Sequence, residues 1–514
     1  MIYRLIIALA RIPLLIFTLQ ASNSVADSIA IPEAGKKAVL DQRAQEIRHQ
    51  VDQYLSEIAK KRFSGAVVIE YQGEKILSKG YGESDREKQI LYSPTTISDI
   101  GSVTKQFTAA AILKLEMQGK LSVSDKLSRY FPDAPKGKAN ITLHQVLNMS
   151  AGLHTYSDTG GGDFEAVSEA GFLELAMGQK LLSAPGEQWE YSNTSYSLLA
   201  LLIEQVSGLT YEQYLYRNLF KPAGMEQTGY SRPGFKPENV AVQHRSSQPN
   251  GKPTEKPWEG AEPYLHLKGN GGLLSTAEDL YRWHRALLGD NILSAEAKTK
   301  YFKPYLDAWE GRRNDSYAYG WFIQPTDRET TLIHHAGGNG YAFTYFFRFV
   351  DDGAAIIIVC NDNDGFNSKV IKQLRGMVFD SEFTPLPKSG YITLNELLVE
   401  NYDIKHILAF IKREKEGVAP SDYDVSERGI NHFAYAFVRQ KKLQDALEVF
   451  ELNISLFPRS ADVYDSYGET LIALGQLERG VQAYQTALEL DPEYENAVFA
   501  LGVLEQYRDK TNGQ

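Results

Sequence analysis

A chain of 514 residues exceeds what one hydrophobic core organises, so two or more folded units are expected. With 43% hydrophobic and 23% charged residues it has the composition of a folded protein, and a formal charge of -11 argues against a nucleic-acid partner, which needs a basic face. The single cysteine, Cys360, rules out an intramolecular disulfide. Within the apolar run Ala354 to Val359 it reads as a buried structural thiol.

In chain order, Arg4 and Arg11 flank an apolar run, and Ser24-Val25-Ala26 resembles a small-residue cleavage site. Residues 1–26 therefore read as a signal peptide, and the protein as exported, either periplasmic or secreted. The run is short and broken by Pro13, which suits a signal better than a spanning helix, although an uncleaved signal would act as an N-terminal anchor. Lys37 to Lys61 reads as an amphipathic helix with Ile47, Val51, Leu55 and Ile58 on its apolar side. Gly65–Tyr71 and Lys75–Tyr81 read as two strands of a hairpin.

Several helices follow, with starts such as Thr142-x-x-Gln145 and Thr210-x-x-Gln213 that fit a capping box. From Ser316 strands return: Tyr317 to Gln324, Thr331 to His335, Tyr341 to Val350, and Ala354 to Cys360, the last two joined through Asp351-Asp352-Gly353. Strands at both ends of a helical block imply one antiparallel sheet completed by the two ends and covered by helices, an α/β (α+β) sandwich. Pro385 and Pro387 mark the end of that unit. Pro458 and Pro492 stand 34 residues apart. Aligned on them, Phe433 matches Tyr467, Ala434 matches Gly468, Ala446 matches Gly480 and Phe450 matches Tyr484. This pattern resembles tetratricopeptide repeats, an all-α array, with a partial third unit from Ala497 to Tyr507.

The chemistry centres on Gly101-Ser102-Val103-Thr104-Lys105, read as a loop entering a helix that runs toward Gly119. Ser102 and Lys105 then share one helix face, and an amine beside a hydroxyl can activate it as a nucleophile. Unpaired N–H groups at the helix start suit an oxyanion. Downstream lie Tyr191-Ser192-Asn193 before a helix, the glycine-rich loop Gly269-Asn270-Gly271-Gly272, and His335-Ala336-Gly337-Gly338 closing a strand. No His-Glu-x-x-His or second ligand cluster accompanies His334 and His335, so neither metal nor cofactor is expected.

Ser-x-x-Lys, Tyr-x-Asn and His-x-Gly in this order are similar to the serine β-lactamase and penicillin-binding superfamily. The nearest branch holds class C β-lactamases, D-alanyl-D-alanine carboxypeptidases, D-aminopeptidases and related esterases. Leu147 to Leu153, Pro185 to Asn193 and Asn218 to Met225 resemble its connecting segments, and the likeness covers residues 40–380. It implies that Ser102 is the nucleophile of an acyl-enzyme and that Lys105 and Tyr191 move its proton. Asn193 would meet the substrate amide or Lys105. Backbone N–H groups of Ser102 and Gly338, beside Gly337, would form the oxyanion hole. His335 would orient Tyr191 or meet a substrate carboxylate. The familiar β-lactamases carry lysine where this chain has His335, and a mostly neutral imidazole offers a carboxylate less fixed charge.

The expected organisation is thus a signal peptide (1–26), a β-lactamase-like serine hydrolase (27–380), a helical connector (381–427) and the repeats (428–514). The substrate class is an ester, a D-amino-acid peptide or a β-lactam. The rival readings are a β-lactamase or carboxypeptidase proper, and a non-catalytic binding protein on the same fold. The repeats are read either as a groove for a protein partner or as an appendage packed on the hydrolase. Loops Thr155 to Asp163 and Val242 to Glu262 would wall the substrate pocket.

Overall fold

The computed structural model describes residues 33–60, 63–156, 162–232, 234–245, 248–255, 262–308, 314–362, 367–383, 394, 403–417, 423–492, 494, 496–498 and 500–502. The signal-peptide reading of residues 1–26 lies outside them, as do parts of the connector and the end of the third repeat unit. Among the described residues no helix is long and apolar enough to cross a membrane.

Helix α1 spans Glu33–Ala59, and strands β1 (Gly65–Tyr71) and β2 (Glu74–Tyr81) form the expected hairpin. Its turn residues Gln72 and Gly73 both take positive φ, as a tight turn between right-twisted strands requires. The remaining strands of the main sheet are β3 (Leu306–Ala308), β4 (Asp315–Tyr317), β5 (Phe322–Pro325), β6 (Thr331–Gly338), β7 (Phe343–Phe349) and β8 (Ala354–Cys360). The sheet order is β2-β1-β8-β7-β6-β5-β4-β3. The pairing is antiparallel throughout, with Gly65 opposite Cys360 and Ile69 opposite Ile356, so the two ends of the helical block do close one sheet.

One expected strand is two. The run from Tyr317 to Gln324 turns back at Ala318–Trp321, where Gly320 has φ +76°. A Cβ on Gly320 would lie 2.9 Å from the Lys105 carbonyl, so the hairpin corner is pressed against the helix that carries Lys105.

Alternation along the central strands gives the sheet two buried faces. Val67, Ile69, Ile356 and Ile358 meet Ile47, Val51 and Leu55 of α1 and Val370, Leu374 and Met377 of α5 (Asn367–Phe379). Ala66, Val68, Ile357 and Val359 face the helical block. Burial of each large aliphatic side chain here contributes roughly 1.5–3 kcal/mol. At the centre of the block, helix α2 (Thr104–Met117) is buried on all sides from Thr104 to Leu113. Ala109, Ala110 and Ala111 let α3 (Asn193–Ser207) approach it closely. Cys360 is buried on β8, and burial pushes its thiol pKa up.

Helix α4 (Ala277–Leu288) is tied to β1 by a polar cluster. Glu70 accepts hydrogen bonds from His284 Nε2 (3.0 Å), Tyr281 Oη (2.8 Å) and Arg285 (3.0 Å), while Arg348 Nε donates to His284 Nδ1 (3.1 Å). Burial lowers His284 to about 4. Burial alone would raise the Glu70 carboxyl, but His284, Tyr281 and Arg285 together hold it at about 2. Both shifts remove stability in acid. From about pH 6.5 to 4 the unfolded chain binds a proton that folded His284 refuses. Below about 4.5 Glu70 loses its share, fully gone near pH 2 and on the order of 2–3 kcal/mol. Urea midpoints measured against pH should therefore fall on acidification, and Glu70→Gln should flatten the limb below pH 4.5.

Toward the C-terminus come α6 (Ile404–Glu416), α7 (Glu427–Arg439), α8 (Leu443–Leu456), α9 (Ala461–Ala473) and α10 (Leu477–Leu490). α7/α8 and α9/α10 are the two helix pairs that the 34-residue repeat implies. A Cβ on Gly468 would lie 3.3 Å from the Gly480 carbonyl, which explains small residues at the repeat's paired positions. Ile407 and Ile411 of α6 pack on Ile430 and Phe433 of the first pair, and Lys369 of α5 pairs with Asp424 at 3.2 Å. The helical array therefore touches the sheet unit.

Candidate active site

Ser102 sits in a 3-10 turn, Gly101–Val103, that leads directly into α2. The expected helix thus begins one turn tighter than a regular α-helix, and the Ser102 side chain is presented at its mouth. Gly101 has φ +51°, and a Cβ there would lie 2.4 Å from the Gly338 amide nitrogen. A Cβ on Gly337 would lie 2.0 Å from the Ile100 carbonyl and 2.8 Å from the Ser102 amide nitrogen. Glycines on both sides thus let the end of β6 lie edge-on against the Ser102 turn.

Asp99 fastens this junction. Its Oδ1 accepts from the Gly101 amide (2.8 Å) and its Oδ2 from Asn339 Nδ2 (2.7 Å). Asn339 Oδ1 in turn accepts from the Tyr341 and Ala342 amides (3.0 and 2.8 Å). Sequence reading missed this clasp, because Asp99 and Asn339 are far apart in the chain and neither belongs to a motif.

Lys105 is fully buried. Its Nζ donates to Ser102 Oγ (3.1 Å) and to the Asn270 carbonyl (2.7 Å). Burial holds its pKa well below the ordinary lysine range. The glycine-rich loop is therefore part of the site, and Asn270 is the residue in it that matters. Its Nδ2 is fixed by Ser197 Oγ (2.9 Å) and the His266 carbonyl (2.7 Å), which aims the main-chain oxygen at Lys105. Gly269, with φ +83°, permits contact with α3, where a Cβ would meet Ala200 at 2.6 Å.

Tyr191 lies before α3, with the Lys105 Nζ 4.8 Å from its ring centroid. Burial raises its phenol pKa, and a hydrogen bond with Ser102 partly offsets that rise. Thr155 holds the segment, its Oγ1 donating to the Tyr191 carbonyl (2.8 Å) and its carbonyl accepting from the Asn193 amide (3.0 Å). The N-cap of α3 is Ser192, whose Oγ accepts from the Ser195 amide (3.0 Å). Asn193 is thereby freed from capping. It lines the cleft, and its Oδ1 is buried with no hydrogen-bond partner.

His335 stands apart from this group. It is 2% exposed, packs beside Tyr317 and Phe322, and does not line the cleft. Its Nε2 has no hydrogen-bond partner, and burial lowers its pKa to about 3. A neutral, enclosed imidazole does not meet a substrate carboxylate, so of its two expected roles that one is not supported by the geometry.

Above Ser102 opens a cleft of about 610 Å³. Tyr156 and Asp163 of one expected loop line it, as do Asn250, Lys252 and Glu255 of the other. Gly338 and Tyr191 complete its floor around Ser102. No group of three His, Cys, Asp or Glu side chains able to hold a metal occurs among the described residues. The site is a hydroxyl, a buried amine and a phenol gathered under an open cleft.

Helices on both faces of an antiparallel sheet, with this cluster at the start of the central helix, define a serine hydrolase of the β-lactamase and penicillin-binding type. The chain belongs to the beta-lactamase family, whose model matches residues 44–375, and a TPR repeat model matches residues 468–506. It is 30% identical over 308 residues to the PbpX protein of Bacillus subtilis, covering 60% of this chain and 73% of that one. A penicillin-binding protein homologue from Pyrococcus abyssi, described as octameric, superposes with a TM-score of 0.56 at 26% identity, covering 69% of this chain and 82% of that one. A penicillin-binding protein from Bacillus halodurans does so with a TM-score of 0.53 at 25% identity, covering 63% and 98%.

Proposed function

We propose that this protein is an exported serine hydrolase acting through an acyl-enzyme on an ester or amide. The observation that carries the reading is the Lys105 amine, 3.1 Å from Ser102 Oγ in surroundings whose burial favours its neutral form. A neutral amine has a lone pair with which to accept the Ser102 hydroxyl proton as the oxygen attacks a carbonyl. The oxyanion then forms against the backbone N–H groups of Ser102 and Gly338, held in register by the Asp99 clasp. Tyr191, kept protonated by burial, returns a proton to the leaving group and is recharged from Lys105. Asn193 Oδ1 accepts from the substrate amide. Water repeats the sequence in reverse to free the enzyme. Export rests on the pattern of residues 1–26.

A β-lactamase or D-alanyl-D-alanine carboxypeptidase proper is the second reading, favoured by penicillin-binding proteins among the structural relatives. It is weakened by the neutral His335. Partner capture by the repeats remains a separate proposal, supported by the TPR match. A non-catalytic binding role accounts poorly for the gathered Ser102, Lys105 and Tyr191.

Stopped-flow hydrolysis of p-nitrophenyl acetate tests the acyl-enzyme. The expected result is a nitrophenolate burst approaching one per chain, followed by slower turnover. Turnover in which added hydroxylamine leaves the rate and products unchanged, with no burst, would count against a covalent intermediate.

A further inference from the structure

Thr108 stands one turn after Lys105 on α2, so the two side chains share a helix face. That face meets the glycine-rich loop, where three consecutive carbonyls each accept a side-chain hydrogen bond. Thr108 Oγ1 donates to the Gly269 carbonyl (2.6 Å), Lys105 Nζ to the Asn270 carbonyl (2.7 Å) and Tyr230 Oη to the Gly271 carbonyl (2.9 Å). Tyr230 Oη also accepts from the Gly269 amide (3.0 Å), so one phenol bridges the main chain on both sides of Asn270. The Thr108 proton is engaged by Gly269, so Tyr211 Oη, 2.6 Å from Thr108 Oγ1, is the donor of that pair.

This lattice is enclosed. Thr108, Tyr211 and Tyr230 are all buried, and Thr108 and Tyr230 do not line the cleft, so a substrate there does not touch them. Their consequence falls on Lys105. A neutral amine has two N–H groups and one lone pair. With one N–H directed at a fixed Asn270 carbonyl, rotation about the Cε–Nζ bond is restricted, and the lone pair can be kept toward Ser102 Oγ, 3.1 Å away. A carbonyl free to drift would let the amine turn, and misplacement by about 1 Å at a reacting group can cost ~10²-fold in rate.

We propose that Tyr230 and Thr108 are positioning residues for the reaction, pinning Gly269 and Gly271 so that the Asn270 carbonyl between them orients the Lys105 amine toward Ser102. Both act through Asn270 and neither touches the reacting atoms. This inference rests on the serine hydrolase reading. The proton moves from Ser102 Oγ to Lys105 Nζ as the oxygen attacks the carbonyl carbon, and the lattice gives up no proton of its own. Burial raises the Tyr230 phenol pKa, which keeps its proton in place.

The rate constant of the p-nitrophenyl acetate burst, measured on the full chain across pH, tests it. A rate constant counts only folded enzyme, so it does not depend on how much of a variant folds. Tyr230→Phe should lower the plateau about tenfold. Its rising limb should move to lower pH, since a carbonyl that drifts from the amine withdraws a hydrogen bond that favours the ammonium. Thr108→Val should lower the plateau by a similar factor, and Thr108→Ser, which keeps the hydroxyl, should restore most of it. That pair decides the matter if Tyr230→Phe does not fold. A wild-type plateau and limb in Tyr230→Phe, or equal bursts in Thr108→Val and Thr108→Ser, would overturn the inference and leave the hydrolase reading standing. So would a lowered plateau whose limb moves to higher pH, the mark of water reaching the ammonium through a loosened core. Absence of a burst in the wild type would remove the acyl-enzyme reading and this inference with it.

Discussion

Ser102→Ala should lower ester turnover by at least ~10⁴-fold, with the melting temperature unchanged. The size of the loss follows from the lack of a substitute: the variant keeps the oxyanion donors and the cleft, but among the described residues no second serine or threonine hydroxyl is hydrogen-bonded to the Lys105 amine. Residual catalysis from binding and the N–H groups alone sets the floor. Stability changes little because Ser102 lines the cleft, outside the apolar core, and the Lys105 amine keeps the Asn270 carbonyl as its acceptor. Parallel measurement of turnover and thermal unfolding separates the two. Near wild-type activity in a folded variant would remove Ser102 from the reaction.

Lys105→Met should cost about 10²–10⁴-fold in kcat/KM, the range spanned by loss of a positioned base. In the wild type, kcat/KM should rise with pH as Lys105 loses its proton, and plateau well below the ordinary lysine pKa of about 10.4. The variant should lack that limb. Its stability should move the other way. Unfolded lysine holds its proton more tightly than the buried residue, so below the ordinary lysine pKa the wild type is less stable than a chain with an apolar side chain of similar length. Lys105→Met should therefore raise the melting temperature near pH 7, less so toward pH 10. A variant that is both inactive and strongly destabilised would mean that Lys105 acts as a charged structural group.

Much of the sheet was legible because its central strands obey simple rules. The runs Gly65–Tyr71 and Ala354–Cys360 are short and apolar, and are bounded by Gly or Asp turns. Thr142 and Gln145 do form the reciprocal cap that their spacing implies. The hairpin at Gly320 was hidden because Tyr317 to Gln324 is apolar on both sides of the turn. Its only signal is one glycine in a stretch where glycine also fits a bulge. Of the residues that the motif order singled out, Ser102, Tyr191, Asn193 and Gly338 line the cleft, and Lys105 is hydrogen-bonded to Ser102. What that order could not reveal was tertiary pairing: the Asn270 carbonyl on Lys105, the Asp99–Asn339 clasp, and the enclosure of His335. These depend on backbone atoms and packing, which leave no spacing in a sequence. Asn193 shows the same limit from the other side, since Ser192 and Asn193 are equally good N-caps on paper and the fold uses Ser192.

The most direct test of the account is the intact mass of the mature protein after exposure to an activated ester and to a penicillin, followed by mapping of any labelled peptide. The account predicts an acyl adduct on Ser102 with the ester, absent in Ser102→Ala, and weak or short-lived modification by the anionic penicillin. An adduct on another residue, or ester turnover with no adduct under rapid acid quench, would contradict it.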